Sequence, residues 1–292
     1  MQDFLLKVEG TIHTLSTPWV MGILNITPDS FYKESRISTP SEAAGRAEKM
    51  IKLGAKIIDI GGYSSRPGAT QVSEEEEWNR IHKVIPAVRS ITEKIPGTFI
   101  SVDTFRANVA EKAIDAGAHM VNDISGGNLD NMMHKVVAKL KCPYILMHMK
   151  GDPGNMQSNP SYSHVTQDIV KFFSDRLPKL HDMGIHDTII DVGFGFGKTL
   201  KHNYQLLREL HAFQLLGRPI LTGISRKSMV YNALKKTPED SLNGSTALHM
   251  AALLQGSNIL RVHDIKEAQE TITLFTQLMP NGINHLLQPW EC

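Results

Sequence analysis

Residues 47–60, AEKMIKLGAKIIDI, run from an amphipathic helical pattern through Gly54 into a short apolar strand. The same grammar returns at 109–123 (VAEKAIDAGAHMVND), 177–192 (LPKLHDMGIHDTIIDV) and 250–262 (MAALLQGSNILRV). In each copy a glycine (Gly54, Gly117, Gly184 or Gly256) stands where a helix ends in the left-handed conformation, and the next apolar run re-enters a sheet. Runs such as IIDI, YILMH and ILTGI lack the polar alternation of a half-exposed strand, which suits a parallel sheet covered by helices on its outer face.

Eight such strands are expected, near residues 20–24, 56–60, 98–103, 118–122, 143–147, 187–191, 219–223 and 258–262. Their ends carry the unusual polar residues: Asn25, Asp59, Asp103, Asn122-Asp123, His148, Asp191, Gly223 and Arg261-Val262-His263. In a closed barrel those carboxyl ends meet on one face, whereas an open doubly wound sheet gathers its ligands at one switch point. The expected fold is therefore α/β, a single (β/α)8 TIM barrel. One domain spans 1–292, with residues 1–17 as a short extension whose turn at Glu9-Gly10 makes a hairpin plugging the amino end.

A length of 292 residues suits one such barrel, and no Pro/Ser-rich or charged stretch reads as a linker. With 41% hydrophobic and 21% charged residues the composition is that of a globular protein with an ample core. Lys+Arg (31) balance Asp+Glu (30), which leaves no field to favour nucleic acid or an anionic membrane surface. No apolar run approaches the ~20 residues of a membrane span, so a cytoplasmic protein is expected. Cys142 and Cys292 form neither a disulfide framework nor a zinc pattern.

Six stretches carry chemistry. In MGILNITPDSF (21–31) Asn25 faces the mouth, and its carbonyl suits a hard cation such as Mg2+, which prefers oxygen ligands and keeps its waters beside phosphate; an Asx-turn is the plainer role. DIGGYSSRPG (59–68) combines close-packing glycines, two hydroxyls and the planar cation Arg66, an anion-binding loop or an ordinary turn. Asp103, Asn122 and Asp191 end three strands. Acceptor-only carboxylates beside an amide suit a flat heterocycle bearing N–H donors, a pterin or purine, although Asp at such junctions also caps helices.

DVGFGFGK (191–198) is not a P-loop, and Phe194 or Phe196 is offered to an aromatic substrate or to the core. In GISRKS (223–228) Lys227 can donate to a ring carbonyl and Ser228 can meet a carboxylate at a helix start. The run reads as exposed, which argues against a lysine depressed enough for imine chemistry. RVHD (261–264) points Arg261 and His263 the same way, with Asp264 starting the last helix. With Arg66 and Asn25 they form a grip for pyrophosphate.

Taken in order, ILNITPDSF, DIGGYSSRPG, SVDT, NDISGG, LMHM, DVGFGFGK, GISRKS and RVHD resemble the dihydropteroate synthase family, from about Pro18 to Asp264. The resemblance implies joining 6-hydroxymethyl-7,8-dihydropterin diphosphate to 4-aminobenzoate with release of pyrophosphate, in folate biosynthesis. It implies a pterin site of Asp103, Asn122, Met147, Asp191 and Lys227, and a pyrophosphate site of Asn25, Ser65, Arg66, Arg261 and His263 with Mg2+ at Asn25. Phe31, Ser65, Arg66, Pro67, Phe196 and Ser228 would frame aminobenzoate, where sulfonamides bind in the family, and Lys227, Arg261, His263 and Asp103 would carry catalysis.

The chain departs from the family pattern at Tyr63 (usually Glu), Ser65 (Thr), Val192 (Pro) and Lys33 (Asp). Methyl transfer from a folate to a corrinoid protein is the competing activity, without use for a pyrophosphate grip; a noncatalytic pterin-binding paralogue is the other. The family is usually dimeric, and Met229, Leu242, Met250 and Leu253 are offered as a homodimer face or as helix-on-barrel packing. Small-molecule substrates, with no nucleic acid and no membrane, complete the expectation.

Overall fold

The computed structural model describes residues 3–26, 39–64, 72–151 and 160–279. Strands β1 (Phe4–Val8) and β2 (Thr11–Leu15) form an antiparallel hairpin. Then come β3 (Trp19–Asn25), β4 (Ala55–Gly61), β5 (Phe99–Asp103), β6 (Met120–Asp123), β7 (Tyr144–Met147), β8 (Thr188–Asp191), β9 (Ile220–Thr222) and β10 (Ile259–Val262). These eight are parallel and close into a barrel, β10 pairing with β3 to seal it. The (β/α)8 expectation holds, and the open sheet is excluded.

Around the barrel lie α1 (Pro40–Lys52), α2 (Glu74–Ile81), α3 (Val84–Thr92), α4 (Ala107–Asp115), α5 (Met133–Leu140), α6 (Val165–Asp182), α7 (Leu200–Arg208), α8 (Ser228–Leu234), α9 (Leu242–Leu254) and α10 (Ile265–Leu278). Helix α1 shows why they form. Thr39 caps it by accepting the Glu42 N–H (3.2 Å), Pro40 opens it, and Ala43, Ala47 and Ile51 share one buried face. It stops at Gly54 (φ +108°), and Gly117, Gly184 and Gly256 are likewise left-handed.

The hairpin plugs the amino end as expected. Glu9 and Gly10 both take positive φ (47° and 83°), as a two-residue hairpin turn with the sheet's own twist requires. Leu6, Val8 and Leu15 then pack against Met21, Ile57, Phe99, Met120, Ile145, Ile189, Leu221 and Ile259, the lower inward layer of the barrel. The Glu9 carboxylate receives two bonds from Arg89 (2.8 and 3.1 Å), and Lys7 N–H donates to Asp187 Oδ1 at 2.8 Å. The outward residues of the strands, such as Ile58, Ile60 and Val262, pack under the helices.

The fourth barrel strand begins at Met120, just after His119, whose Nδ1 accepts the Ile100 N–H at 2.9 Å. One expectation needs correction. Met229 and Leu253 cannot line a dimer face, since both are buried in the core; only Leu242 and Met250 remain half-exposed. Cys142 is a free, partly buried thiol pushed up to about 12 by burial, and Cys292 lies outside the described residues. No helix among the described residues is long and apolar enough to cross a membrane.

Candidate active site

Above the apolar lower layer the inward positions of the barrel become ionic. Arg261 on β10 reaches across the interior: its Nε donates to Asp59 Oδ2 (2.7 Å) on β4 and its Nη2 to Asp103 Oδ2 (2.5 Å) on β5. Asn122 Nδ2 on β6 donates to the same Asp59 oxygen at 3.1 Å. One guanidinium thus serves two carboxylates in a low-dielectric interior, an arrangement that does little for stability and suggests chemistry. Burial pushes Asp103 up to about 7; Arg261 opposes the shift and Asp59 reinforces it. For Arg261 burial acts downward, but Asp59 and Asp103 outweigh it and hold the group charged.

A second pair of opposite charges, Asp191 at the end of β8 and Lys227 just before α8, attract one another without direct contact. Burial raises the Asp191 pKa against the attraction of Lys227 and the Gly193 N–H bond (2.7 Å). Burial lowers Lys227 to about 8; Asp191 resists and Arg261 adds to the fall. Lys227 Nζ donates to Phe194 O at 2.6 Å and lies 4.7 Å from the centre of the Phe196 ring. The expectation of an exposed SRKS run is therefore wrong. Arg226 turns away from solvent, giving two 2.8 Å bonds to Asp264 and others to the carbonyls of Pro238 and Glu239, and Lys227 is left half-buried. Asp264 does precede α10, but its side chain serves Arg226 and does not cap that helix.

Opposite the charges stands an apolar wall of Ile124, Met147 and Met149 with Phe105 and Phe196 packed on it. Phe194 is fully buried in the outer core, which settles which phenylalanine faces the mouth. Tyr63 lies edge-on to Phe105 (5.2 Å between centres), with the Arg106 guanidinium 5.5 Å from its ring. Arg106 is also bonded to Glu77 and to Val72 O. Val192, where the family pattern has proline, is buried in the core.

Asp103, Asn122, Met147, Asp191, Phe196, Lys227 and Arg261 are thus brought to one mouth by six separate segments of the chain. Asn25 ends β3, with its Oδ1 and Asp103 Cβ on either side of Gly61, at 3.4 and 3.5 Å from where a Cβ there would stand. His263 is exposed beyond β10, its N–H donating to Ser225 Oγ at 3.2 Å, and Ser228 is exposed at the first residue of α8. Phe31, Ser65, Arg66 and Pro67, with Lys33, lie outside the described residues. Two participants were missed. Asp59 received no role as a strand end, and buried Lys198 meets His148 Nδ1 at 3.1 Å. His249 and His134 are interior groups, the former pushed down to about 4 by burial.

Among the described residues no three His, Cys, Asp or Glu side chains are grouped to hold a metal. The donor chemistry at Asn25 fits a Mg2+ bound mainly by substrate phosphate and water, which asks the protein for only one or two oxygens.

A closed eight-stranded barrel with a charged, aromatic-walled mouth at the strands' carboxyl ends defines an enzyme of the (β/α)8 class. The pattern of the family described as pterin binding enzyme matches residues 21–263. The dihydropteroate synthase of Haemophilus influenzae is 41% identical over 263 residues, covering 89% of this chain and 94% of that protein. Among solved structures, Yersinia pestis dihydropteroate synthase with a sulfonamide drug complex superposes with TM-score 0.89 at 40% identity, covering 95% of this chain and 100% of that one. Xanthomonas albilineans dihydropteroate synthase with 4-aminobenzoic acid gives 0.85 at 36%, covering 95% and 99%. The chain belongs to the dihydropteroate synthase family of pterin binding enzymes, and it is a transferase.

Proposed function

We propose that this chain condenses 6-hydroxymethyl-7,8-dihydropterin diphosphate with 4-aminobenzoate to give 7,8-dihydropteroate and pyrophosphate, and that the reaction is a dissociative substitution. The observation that carries it is the Arg261 guanidinium fixed between Asp59 and Asp103, with the buried Asp191 carboxylate and Lys227 amine beside it. Asp103, Asn122 and Asp191 accept from and orient the amino and ring N–H groups of the pterin, and Lys227 moves its proton donor from Phe194 O to the ring carbonyl. Met147 and Phe196 exclude water from the ring face. Arg261 has spent two of its five N–H groups on carboxylates, so it is held rigidly with donors left for a diphosphate oxygen. His263 and Asn25 line the same side. Mg2+ bound at Asn25 and the diphosphate would neutralise charge on the departing pyrophosphate.

The aniline nitrogen of aminobenzoate is already a nucleophile, and it loses its proton after the C–N bond forms. No Ser-His-Asp constellation is needed, and the mouth offers none among the described residues. Phe31, Ser65, Arg66, Pro67 and Ser228, with Phe196, are proposed to frame aminobenzoate, and Ser65 and Arg66 to reach the diphosphate; sulfonamides would compete there. The working enzyme is proposed to be a cytoplasmic homodimer. Helix α9 supports the dimer: it leaves Ala247 exposed and Met250, Ala251 and Leu254 half-exposed.

The test mixes protein, Mg2+, the pterin diphosphate and aminobenzoate and follows both products. Equal amounts of pyrophosphate and dihydropteroate, abolished by Lys227→Ala, are expected. A folded protein that binds the pterin diphosphate and releases neither product would refute the activity.

A further inference from the structure

The mouth is organised from beneath by a residue that faces no open space. Lys198 is 3% exposed, yet its Nζ donates to Gly193 O (2.8 Å) and Phe196 O (3.0 Å) and shares a hydrogen bond with His148 Nδ1 (3.1 Å). A fourth, longer bond runs to His148 O (3.4 Å), so the amine ties the turn after β8 to the end of β7. Burial pushes this lysine well below its ordinary range, with Asp191 opposing, so burying the group is costly. A side chain of that kind in a merely structural place is readily replaced by an apolar one.

What it holds is the turn between Asp191 and Lys198. Gly193, Gly195 and Gly197 all have positive φ (69°, 84° and 63°), and a Cβ at Gly193 would collide with the carbonyl oxygen of His148. Asn203 steadies the turn from outside by accepting the Gly195 N–H at 2.8 Å. Lys198 ties its two ends from inside. That same turn supplies both neighbours of Lys227: the Phe194 carbonyl on which Nζ rests and the Phe196 ring beside it.

We propose that Lys198 is a positioning residue, which presents Lys227 to the pterin by fixing the glycine turn that carries the acceptor and the aromatic neighbour of Lys227. The inference rests on the pterin site proposed above. Lys198 touches no substrate; it sets the geometry of a group that does.

The test is a double-mutant cycle read by calorimetric binding of 6-hydroxymethyl-7,8-dihydropterin diphosphate with Mg2+, without aminobenzoate. The four proteins are wild type, Lys198→Met, Lys227→Ala and the double variant. Lys198→Met is expected to weaken binding about tenfold in the wild type, the scale of one lost charge-assisted hydrogen bond, and less than twofold in the Lys227→Ala background. Lys198→Gln, which restores two donors, should recover part of the affinity. Equal losses in both backgrounds, or no loss from Lys198→Met, would overturn the proposal, because a purely structural lysine gives additive effects. Should Lys198→Met not fold, the same cycle with Lys198→Gln decides it on the same criterion. Wild-type protein that fails to bind the pterin diphosphate would instead refute the site reading.

Discussion

Asp59 and Asp103 share the guanidinium of Arg261, and Asp103, pushed up to about 7 chiefly by burial, carries the consequence. Its folded-state pKa lies above the 3.8 of an ordinary aspartate, so between those values the native state binds more protons than the unfolded chain. Stability contributed at this position is present below about 4 and is lost as pH rises through about 7. Asp103→Asn should therefore stabilise the fold at pH 8 by on the order of 1 kcal/mol, with the gain shrinking toward pH 4, while turnover falls at least tenfold. Melting curves at the two pH values, beside a product assay, check both halves; a variant destabilised equally at both would contradict the assignment. Lys227, pushed down to about 8, sets the other limit. Its ammonium form donates to a ring carbonyl far more strongly than the neutral amine, so kcat/KM for the pterin diphosphate should rise through about pH 7 and fall above about pH 8. Arginine stays protonated throughout, so in Lys227→Arg whatever activity remains should lose the alkaline fall, and an unchanged alkaline limb would count against Lys227 as the titrating group.

At the level of elements, the loops after β4 and β5 meet through Tyr63 and Phe105, where a ring stands in the place the family commonly gives to an acid. Phe105 offers that ring an edge-on partner, and Arg106 beside it is bonded to Glu77. A cycle of Tyr63→Ala and Phe105→Ala should show a coupling of about 0.5–1.5 kcal/mol in unfolding free energy, as edge-to-face pairs do; additive losses would mean that the rings merely adjoin. Such pairings mark where sequence reading ends. The strands were legible because IIDI or YILMH has no polar alternation, and the helix ends because Gly54 or Gly117 breaks each pattern. Asp103, Asn122, Asp191, Lys227 and Arg261 were legible as a group because strand ends in a barrel share one face. Asp59 was not, since its partner Arg261 lies 202 residues away and nothing local distinguishes it from a capping acid. Lys198 looked like the tail of a glycine-rich loop, and its acceptor His148 is 50 residues distant. The SRKS run looked solvated because the bond from Arg226 to Asp264 spans 38 residues.

Across the whole molecule the barrel interior is divided along its axis. The lower layer, Met21, Ile57, Phe99, Met120, Ile145, Ile189, Leu221 and Ile259, is sealed from below by Leu6, Val8 and Leu15, while the upper layer holds Asp59, Asp103, Asn122, Asp191 and Arg261. Each layer makes the other possible. The dry floor lowers the dielectric around the charges above it, which is what moves Asp103 and Lys227 toward neutral pH. Without the hairpin the floor would open to water at the amino end. Leu15 is fully buried in that plug, so Leu15→Ala should cost about 2–5 kcal/mol of stability, the ordinary range for emptying such a site. The floor still separates the cavity from the mouth, and the variant assayed well below its melting temperature should keep both KM values within about twofold, since separate sites act independently. Chemical denaturation gives the first quantity and steady-state kinetics the second. A large rise in KM with little loss of stability would show that the hairpin reaches the mouth through the floor, and the division into a structural lower layer and a catalytic upper one would then fail.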